Sequence, residues 1–270
     1  TAADRIFFMK NNFKSIPGVY LAEVKNNTLW IQFDHEKDTN PFSRKLTVAV
    51  IELSSQIEND PEIKSVVLTG GVGRSFCAGG DFNDVSKLKE VEETKLYLYE
   101  IIDLYQALLR ITKPVISLID NYAIGQGLQV ALMTDYRIAT DRAQISMPEL
   151  KNGVACPLGA TILETYFGHG QMLEDVVGCS MMTAQEALNK KYFNLICPPQ
   201  DLFELGKKWA EKLNAYPSVP FQLTKKIYNQ KLDHALENVR VAAGLAHVET
   251  MKAQSAQKHF DKILHGSKQP

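Results

Sequence analysis

The sequence predicts a layered α/β core followed by a helical C-terminal region, and three observations carry that expectation. Short apolar runs rich in β-branched residues alternate with amphipathic stretches of helical period up to about Leu195. Past Pro198-Pro199 the strand signals stop and only helical period continues. The chain has 270 residues, 45% of them hydrophobic and 23% charged, enough to bury a large core without a disulfide framework or a structural metal.

The elements follow in order. Tyr20 to Asp34 holds two alternating apolar stretches around Asn26-Asn27, which predicts a hairpin. Ser43 precedes a run with apolar residues three and four apart, so a capped helix is expected from there. A buried strand at Ser65 to Gly70 leads into the glycine-rich segment Gly70 to Phe82. A long amphipathic helix over Val91 to Thr112 precedes a strand opened by Pro114. Gly125 to Met133 reads as a helix, and Asp135 to Ala139 and Ile145 to Met147 as strands before a Gly/Pro-rich loop. Leu202 to Asn214 and Asp233 to Leu264 are helical by period, separated by turn chemistry at Tyr216-Pro217 and Pro220. Repeated strand-strand-helix units thus fill 1–198, and 199–270 forms the helical region.

Composition excludes several function classes. With 30 Lys+Arg against 31 Asp+Glu, a net charge of -1 and no long basic block, no nucleic-acid or anionic-membrane partner is expected. The apolar runs fall well short of the roughly 20 residues that span a bilayer, and the N-terminus lacks a leader pattern, so the expected compartment is the cytosol. Cys77, Cys156, Cys179 and Cys197 form no CxxC pair and read as idle buried thiols. His169, His234, His259 and His265 have no carboxylate or Cys at ligand spacing, so no metal is assigned.

Three segments carry chemistry. Arg74 to Asn83 follows a strand and places glycines where a side chain would obstruct a ligand, but its spacing matches neither GxxxxGK[ST] nor GxGxxG. A second cluster, Tyr122-Ala-Ile-Gly-Gln-Gly-Leu-Gln129, lies between a strand and a helix, where free N–H groups point outward. Two such clusters at strand ends could converge on one oxygen and form an oxyanion hole. Met147-Pro-Glu-Leu150 adds a carboxylate, Glu149, just ahead of a glycine- and proline-containing loop.

Together SFCAGGDF, YAIGQGLQVALMTDYRIAT and SMPELKNGVACPLGA resemble the crotonase (enoyl-CoA hydratase/isomerase) superfamily, over about Tyr20 to Leu264. The resemblance implies a crotonase spiral of ββα units, a helical C-terminal trimerisation region, an acyl-CoA substrate, and a thioester enolate held by two backbone N–H groups. Those groups map to Gly80 and Gln126. Hydratases of the family use two glutamates, and their positions here hold Gln129 and Glu149. An amide takes no proton at working pH, a loss worth about 10²-fold or more for a positioned acid or base, so efficient hydration is not expected.

Finer motifs, Asn40 to Arg44, Gly79 to Asn83, Asp103 to Gln106 and Met147 to Lys151, resemble the carboxymethylproline synthase subgroup, whose C-terminal His matches His247. This implies decarboxylation of malonyl-CoA, attack of the enolate on pyrroline-5-carboxylate or a related electrophile, and hydrolysis assisted by Glu149, with a coenzyme A thioester as substrate and no cofactor. An enoyl-CoA isomerase using Glu149 alone and a non-catalytic acyl-CoA-binding trimer remain alternatives. The chain departs from the subgroup at Tyr97, where a Trp would line the pocket, at Gln126 in place of Met, and at Asn152 in place of His. The resemblance further implies CoA recognition by the carbonyls of Phe76 and Ala78 and by Arg44, a homotrimer or hexamer, and Gln257 to Phe260 covering a neighbour's CoA site.

Overall fold

The computed structural model describes residues 13–88 and 90–253. Strands β1 (Tyr20–Lys25) and β2 (Thr28–Phe33) pair antiparallel through Asn26 and Asn27, both at positive φ, as a tight hairpin turn requires. Helix α1 (Arg44–Asn59) begins where the Ser43 side chain accepts from the Leu46 amide. Then come β3 (Ser65–Thr69), the single turn α2 (Phe82–Val85), α3 (Val91–Arg110) and β4 (Val115–Ile119). Next are β5 (Tyr122–Ile124), α4 (Gln126–Leu132), β6 (Tyr136–Thr140) and β7 (Gln144–Ser146). Helices α5 (Pro157–Phe167) and α6 (His169–Gly178), strand β8 (Met182–Thr183), α7 (Ala184–Asn189) and β9 (Leu195–Cys197) complete the sheets. Helices α8 (Leu202–Asn214) and α9 (Ser218–Lys252) follow.

The main sheet runs β1-β2-β3-β4-β6-β9, parallel except for the first pair, and a small sheet runs β5-β7-β8. Successive side chains of a strand point to opposite faces. Val66 and Leu68 of β3 therefore enter the main core while Val67 joins Ile116, Leu118 and Ile138 beneath α8. Gly206 lets α8 approach closely, since a Cβ there would lie 2.6 Å from Leu118. Helix α9 packs back over α3 and α5.

Two expectations are corrected. The second C-terminal helix starts at Ser218, not Asp233, and Pro220 lies in its first turn, where the N–H that proline lacks has no intrahelical partner to lose. The loop after Glu149 is shorter than its Gly and Pro content predicts, because Pro157 opens α5 with φ already set for a helix. No described helix is long and apolar enough to cross a membrane.

Candidate active site

Strands β3 and β4 are parallel neighbours, with Thr69 opposite Leu118, so the glycine-rich segments that follow them leave the sheet at the same edge. Asp120 anchors the first segment. Burial alone would raise its carboxyl, but bonds from Arg142, the Gly73 amide, Thr140 and the Asn121 amide hold it at about 2. Cys77 then runs parallel to Ala123: its amide donates to Tyr122 O at 3.1 Å and its carbonyl accepts from Ile124 N at 3.0 Å. Gly127 permits this approach, because a Cβ there would lie 2.1 Å from Cys77 O.

The stitching brings Gly80 beside Gln126, whose Oε1 would lie 3.0 Å from a Cβ on Gly80. Neither backbone N–H donates to any group among the described residues, and that of Gln126 is one of the free donors opening α4. Two unclaimed amides on converging loops are what stabilisation of a developing oxyanion requires.

Glu149 follows β7 and reaches under Gly125, whose φ of +53° suits glycine and where a Cβ would come within 3.1 Å of Glu149 Oε1. Gln129 Nε2 donates to Glu149 Oε1 at 2.8 Å, and the Tyr105 hydroxyl donates to Gln129 Oε1 at 2.8 Å. This relay fixes both the amide and the carboxyl. Burial pushes the Glu149 carboxyl up to about 7, against the opposing pull of its own backbone amide, the Cys156 thiol and Gln129. A carboxyl placed there can both take and return a proton near neutral pH.

These groups line one cavity, closed by α3 and by the C-terminal part of α9. Its wall holds Tyr97, Gln129, Glu149, Asn152 and His247, and among the described residues no Lys or Arg and no second carboxylate. Burial lowers His247 to about 4, partly offset by the nearby Ala243 carbonyl, so its ring is neutral at pH 7. Buried polar atoms are normally paired. Of six described exceptions, three lie in this wall: Gln126 Nε2, Glu149 Oε2 and His247 Nδ1.

Other expected site residues are distributed differently. Ala78 lines the cavity, whereas the Phe76 ring is in the core against Phe33; neither carbonyl accepts a hydrogen bond among the described residues. Arg44 does not line the cavity: its guanidinium is held in a two-pronged ion pair with Glu100, which spends its charge on α3. Gln257 to Phe260 lie outside the described residues. Two residues escaped the sequence reading. Tyr105 could have been found as the last of Tyr97, Ile101 and Tyr105, spaced four apart on one helical face. Cys156, read as an idle thiol, lies against Glu149.

Fold and site define a crotonase-type acyl-CoA enzyme. The enoyl-CoA hydratase/isomerase family model matches residues 23–265, and the chain belongs to that family. It is 37% identical over 234 residues to the carboxymethylproline synthase of Pectobacterium carotovorum, covering 87% of this chain and 94% of that one. It is 30% identical over 176 residues to the short-chain-enoyl-CoA hydratase of Clostridium acetobutylicum, covering 65% and 67%. The structure of ThnE from S. clavuligerus superposes with a TM-score of 0.72 at 27% identity, covering 84% of this chain and all of that one. The enoyl-CoA hydratase of Bacillus halodurans shares the fold, with a TM-score of 0.81 at 23% identity over 90% of this chain and 98% of the other.

Proposed function

We propose that this chain decarboxylates malonyl-CoA, joins the resulting enolate to pyrroline-5-carboxylate or a related cyclic imine, and hydrolyses the product thioester. One observation carries the reading: Glu149 is the single carboxylate of the described cavity wall, and the group bonded to it, Gln129, is an amide that neither accepts nor delivers a proton. Addition of water by paired carboxylates lacks one partner here. The similarity to a carboxymethylproline synthase supports the same choice.

In the proposed sequence the malonyl carboxylate enters a wall without Lys or Arg, so its charge is poorly compensated, and loss of CO2 moves the bonding pair into the thioester. The enolate oxygen takes the amides of Gly80 and Gln126. The enolate carbon attacks the carbon of the protonated imine, and the C=N pair passes to nitrogen. Glu149 then removes a proton from water as it adds to the thioester carbonyl. The second oxyanion uses the same two amides, and its collapse expels the CoA thiolate, which takes the proton back. No step calls for a metal or redox cofactor. Tyr97, Asn152 and His247 shape the electrophile end, and the unclaimed carbonyls of Phe76 and Ala78 serve CoA.

We also propose a homotrimer or hexamer. Val219, Leu223 and Ile227, four apart on α9, expose an apolar stripe of the kind that association covers.

The test is incubation with malonyl-CoA, with and without pyrroline-5-carboxylate, beside a β,γ-enoyl-CoA, with products followed by mass spectrometry. Imine-dependent CoA release with a carboxymethylproline mass supports the reading. Inert malonyl-CoA with a shifted double bond assigns an isomerase, which the Glu149 carboxyl near 7 would also serve. Binding without turnover of either leaves an acyl-CoA-binding protein.

A further inference from the structure

One buried donor in the cavity wall is left unused by the sequence of steps above. Gln126 serves the proposed oxyanion hole through its backbone N–H, yet its side chain also lines the cavity and is 8% exposed. Its Nε2 has no hydrogen-bond partner among the described residues. Glu149 Oε2 and His247 Nδ1 share that condition, but a carboxyl and an imidazole can each donate or accept as the proton moves. An amide nitrogen only donates, so the group that completes Gln126 Nε2 must be an acceptor. Leaving a buried donor unmatched is unfavourable, and an unmatched one in the wall of a reaction cavity points to a ligand that supplies the acceptor.

The place of the amide narrows the ligand. Gln126 Oε1, bonded to the same carbon as Nε2, stands 3.0 Å from the position a Cβ would take on Gly80. The side chain thus grows from one of the two residues whose backbone N–H groups take the thioester oxygen in the proposed hole, and ends against the other. An acceptor that meets it sits on the acyl carbon next to the thioester carbonyl, within a few bonds of that oxygen. The terminal torsion of a glutamine is soft, so Nε2 can turn toward such a group without strain. Competing donors are few: the described wall has no Lys or Arg, and Gln129 Nε2 is already given to Glu149 at 2.8 Å. An acceptor entering the acyl end therefore finds a neutral donor and no cation.

We propose that Gln126 Nε2 donates to the carboxylate of the malonyl group, which makes this side chain the determinant that selects an acyl thioester bearing an anionic acceptor on its α-carbon over one ending in an alkyl group. The assignment of that acceptor as the malonyl carboxylate rests on the condensing reading above. The bond suits the step because it orients the carboxylate without cancelling its charge. Loss of CO2 requires the breaking C–C bond to overlap the thioester carbonyl, and a donor fixed beside Gly80 holds the rotation that sets this overlap. As that C–C bond breaks, its pair enters the thioester, the negative charge passes to the oxygen between the two backbone amides, and CO2 leaves neutral. Gln126 releases it readily, because a neutral acceptor is held less strongly than an ionised one, whereas an ion pair with Lys or Arg would oppose the loss of charge.

The experiment measures binding of two acyl-CoA probes to the full chain by titration calorimetry at pH 6, where Glu149 keeps its proton and does not activate water, and His247 is neutral. The probes are sulfoacetyl-CoA, whose sulfonate replaces the carboxylate and cannot leave as CO2, and tert-butylacetyl-CoA, its neutral analogue with a methyl group for each oxygen. Gln126→Met should weaken sulfoacetyl-CoA by about tenfold or more, as loss of a hydrogen bond to a charged group commonly does, and leave tert-butylacetyl-CoA little changed. Gln126→Leu is read beside it, so one variant that fails to fold does not remove the measurement, and both keep the backbone N–H. Equal weakening of the two probes, or none, means a packing role or a donor completed by water and overturns the proposal. Weaker binding of L-proline to the acetyl-CoA-loaded variants, with sulfoacetyl-CoA unaffected, moves the acceptor to the electrophile and also overturns it. A selective loss of sulfoacetyl-CoA with malonyl-CoA never consumed keeps the acceptor site and removes the condensing reading. Condensation by the wild type, with probe binding indifferent to Gln126, keeps that reading and removes this site.

Discussion

Replacing Glu149 with Gln should abolish proposed thioester hydrolysis and, above neutral pH, make the chain more stable. The folded carboxyl titrates at about 7 against an ordinary 4.5, so the folded state holds this proton where the unfolded state has released it. Its contribution is fully present below 4.5 and is lost as pH rises through 7. At about 1.4 kcal/mol per tenfold change in proton affinity, that interval amounts to about 3 kcal/mol. His247 acts in the opposite sense. Its folded value of about 4 lies below the ordinary 6.5, so its contribution is present above 6.5 and is lost as pH falls through 4, again by about 3 kcal/mol. Between 4.5 and 6.5 the two slopes cancel in the wild type. Glu149→Gln removes one of them, so its stability should climb by about 3 kcal/mol from pH 4 to 6.5 and exceed that of the wild type by up to about 3 kcal/mol at pH 8. Urea unfolding of both chains at each unit of pH from 4 to 8 measures the difference, and titrating groups common to both drop out of it. A difference that does not change with pH, or a variant less stable at pH 8, would refute the buried, proton-holding carboxyl on which the proposed hydrolytic role of Glu149 depends.

Three further outcomes are expected. Gln129→Glu sets a second carboxylate against Glu149, where Nε2 now donates at 2.8 Å, and should raise crotonyl-CoA hydration by about tenfold or more, followed by loss of the enoyl thioester absorbance; no gain would place the deficit elsewhere in the cavity. Gly80→Pro removes one proposed oxyanion donor and should slow malonyl-CoA turnover by about 10²- to 10³-fold, and unimpaired turnover would remove Gly80 from the hole. Gly127→Ala drives a Cβ to 2.1 Å from Cys77 O, forcing the two glycine-rich segments apart, and should lower both the thermal midpoint and activity; an unchanged melting curve would show that the contact yields freely.

The residues by themselves determined the layered core, because strand and helix leave different hydrophobic periods in the chain. Asn26-Asn27, the Ser43 cap and the apolar run Val66 to Leu68 were each legible from local chemistry. The end of the layered core near Pro198-Pro199 was legible as well, although the last strand before it, Leu195–Cys197, was not itself read from the sequence. Short strands such as β5 and β8 left no such signal, because they exist through partners distant in sequence. Pro220 misled for a related reason, since a proline in the first turn of a helix and one in a loop look alike in one dimension. At the site, glycine clusters and the Glu149 motif stood out because they are local patterns. The bond from Tyr105 to Gln129 and on to Glu149 did not, since it joins α3, α4 and the segment after β7. Only packing decided that Cys156 would touch the carboxyl, that Arg44 would close on Glu100, and that Gln126 and Tyr97 would meet at Gly80. Hydrophobic period is written residue by residue along the chain, whereas a hydrogen bond between distant segments exists only once the core has fixed where their ends emerge.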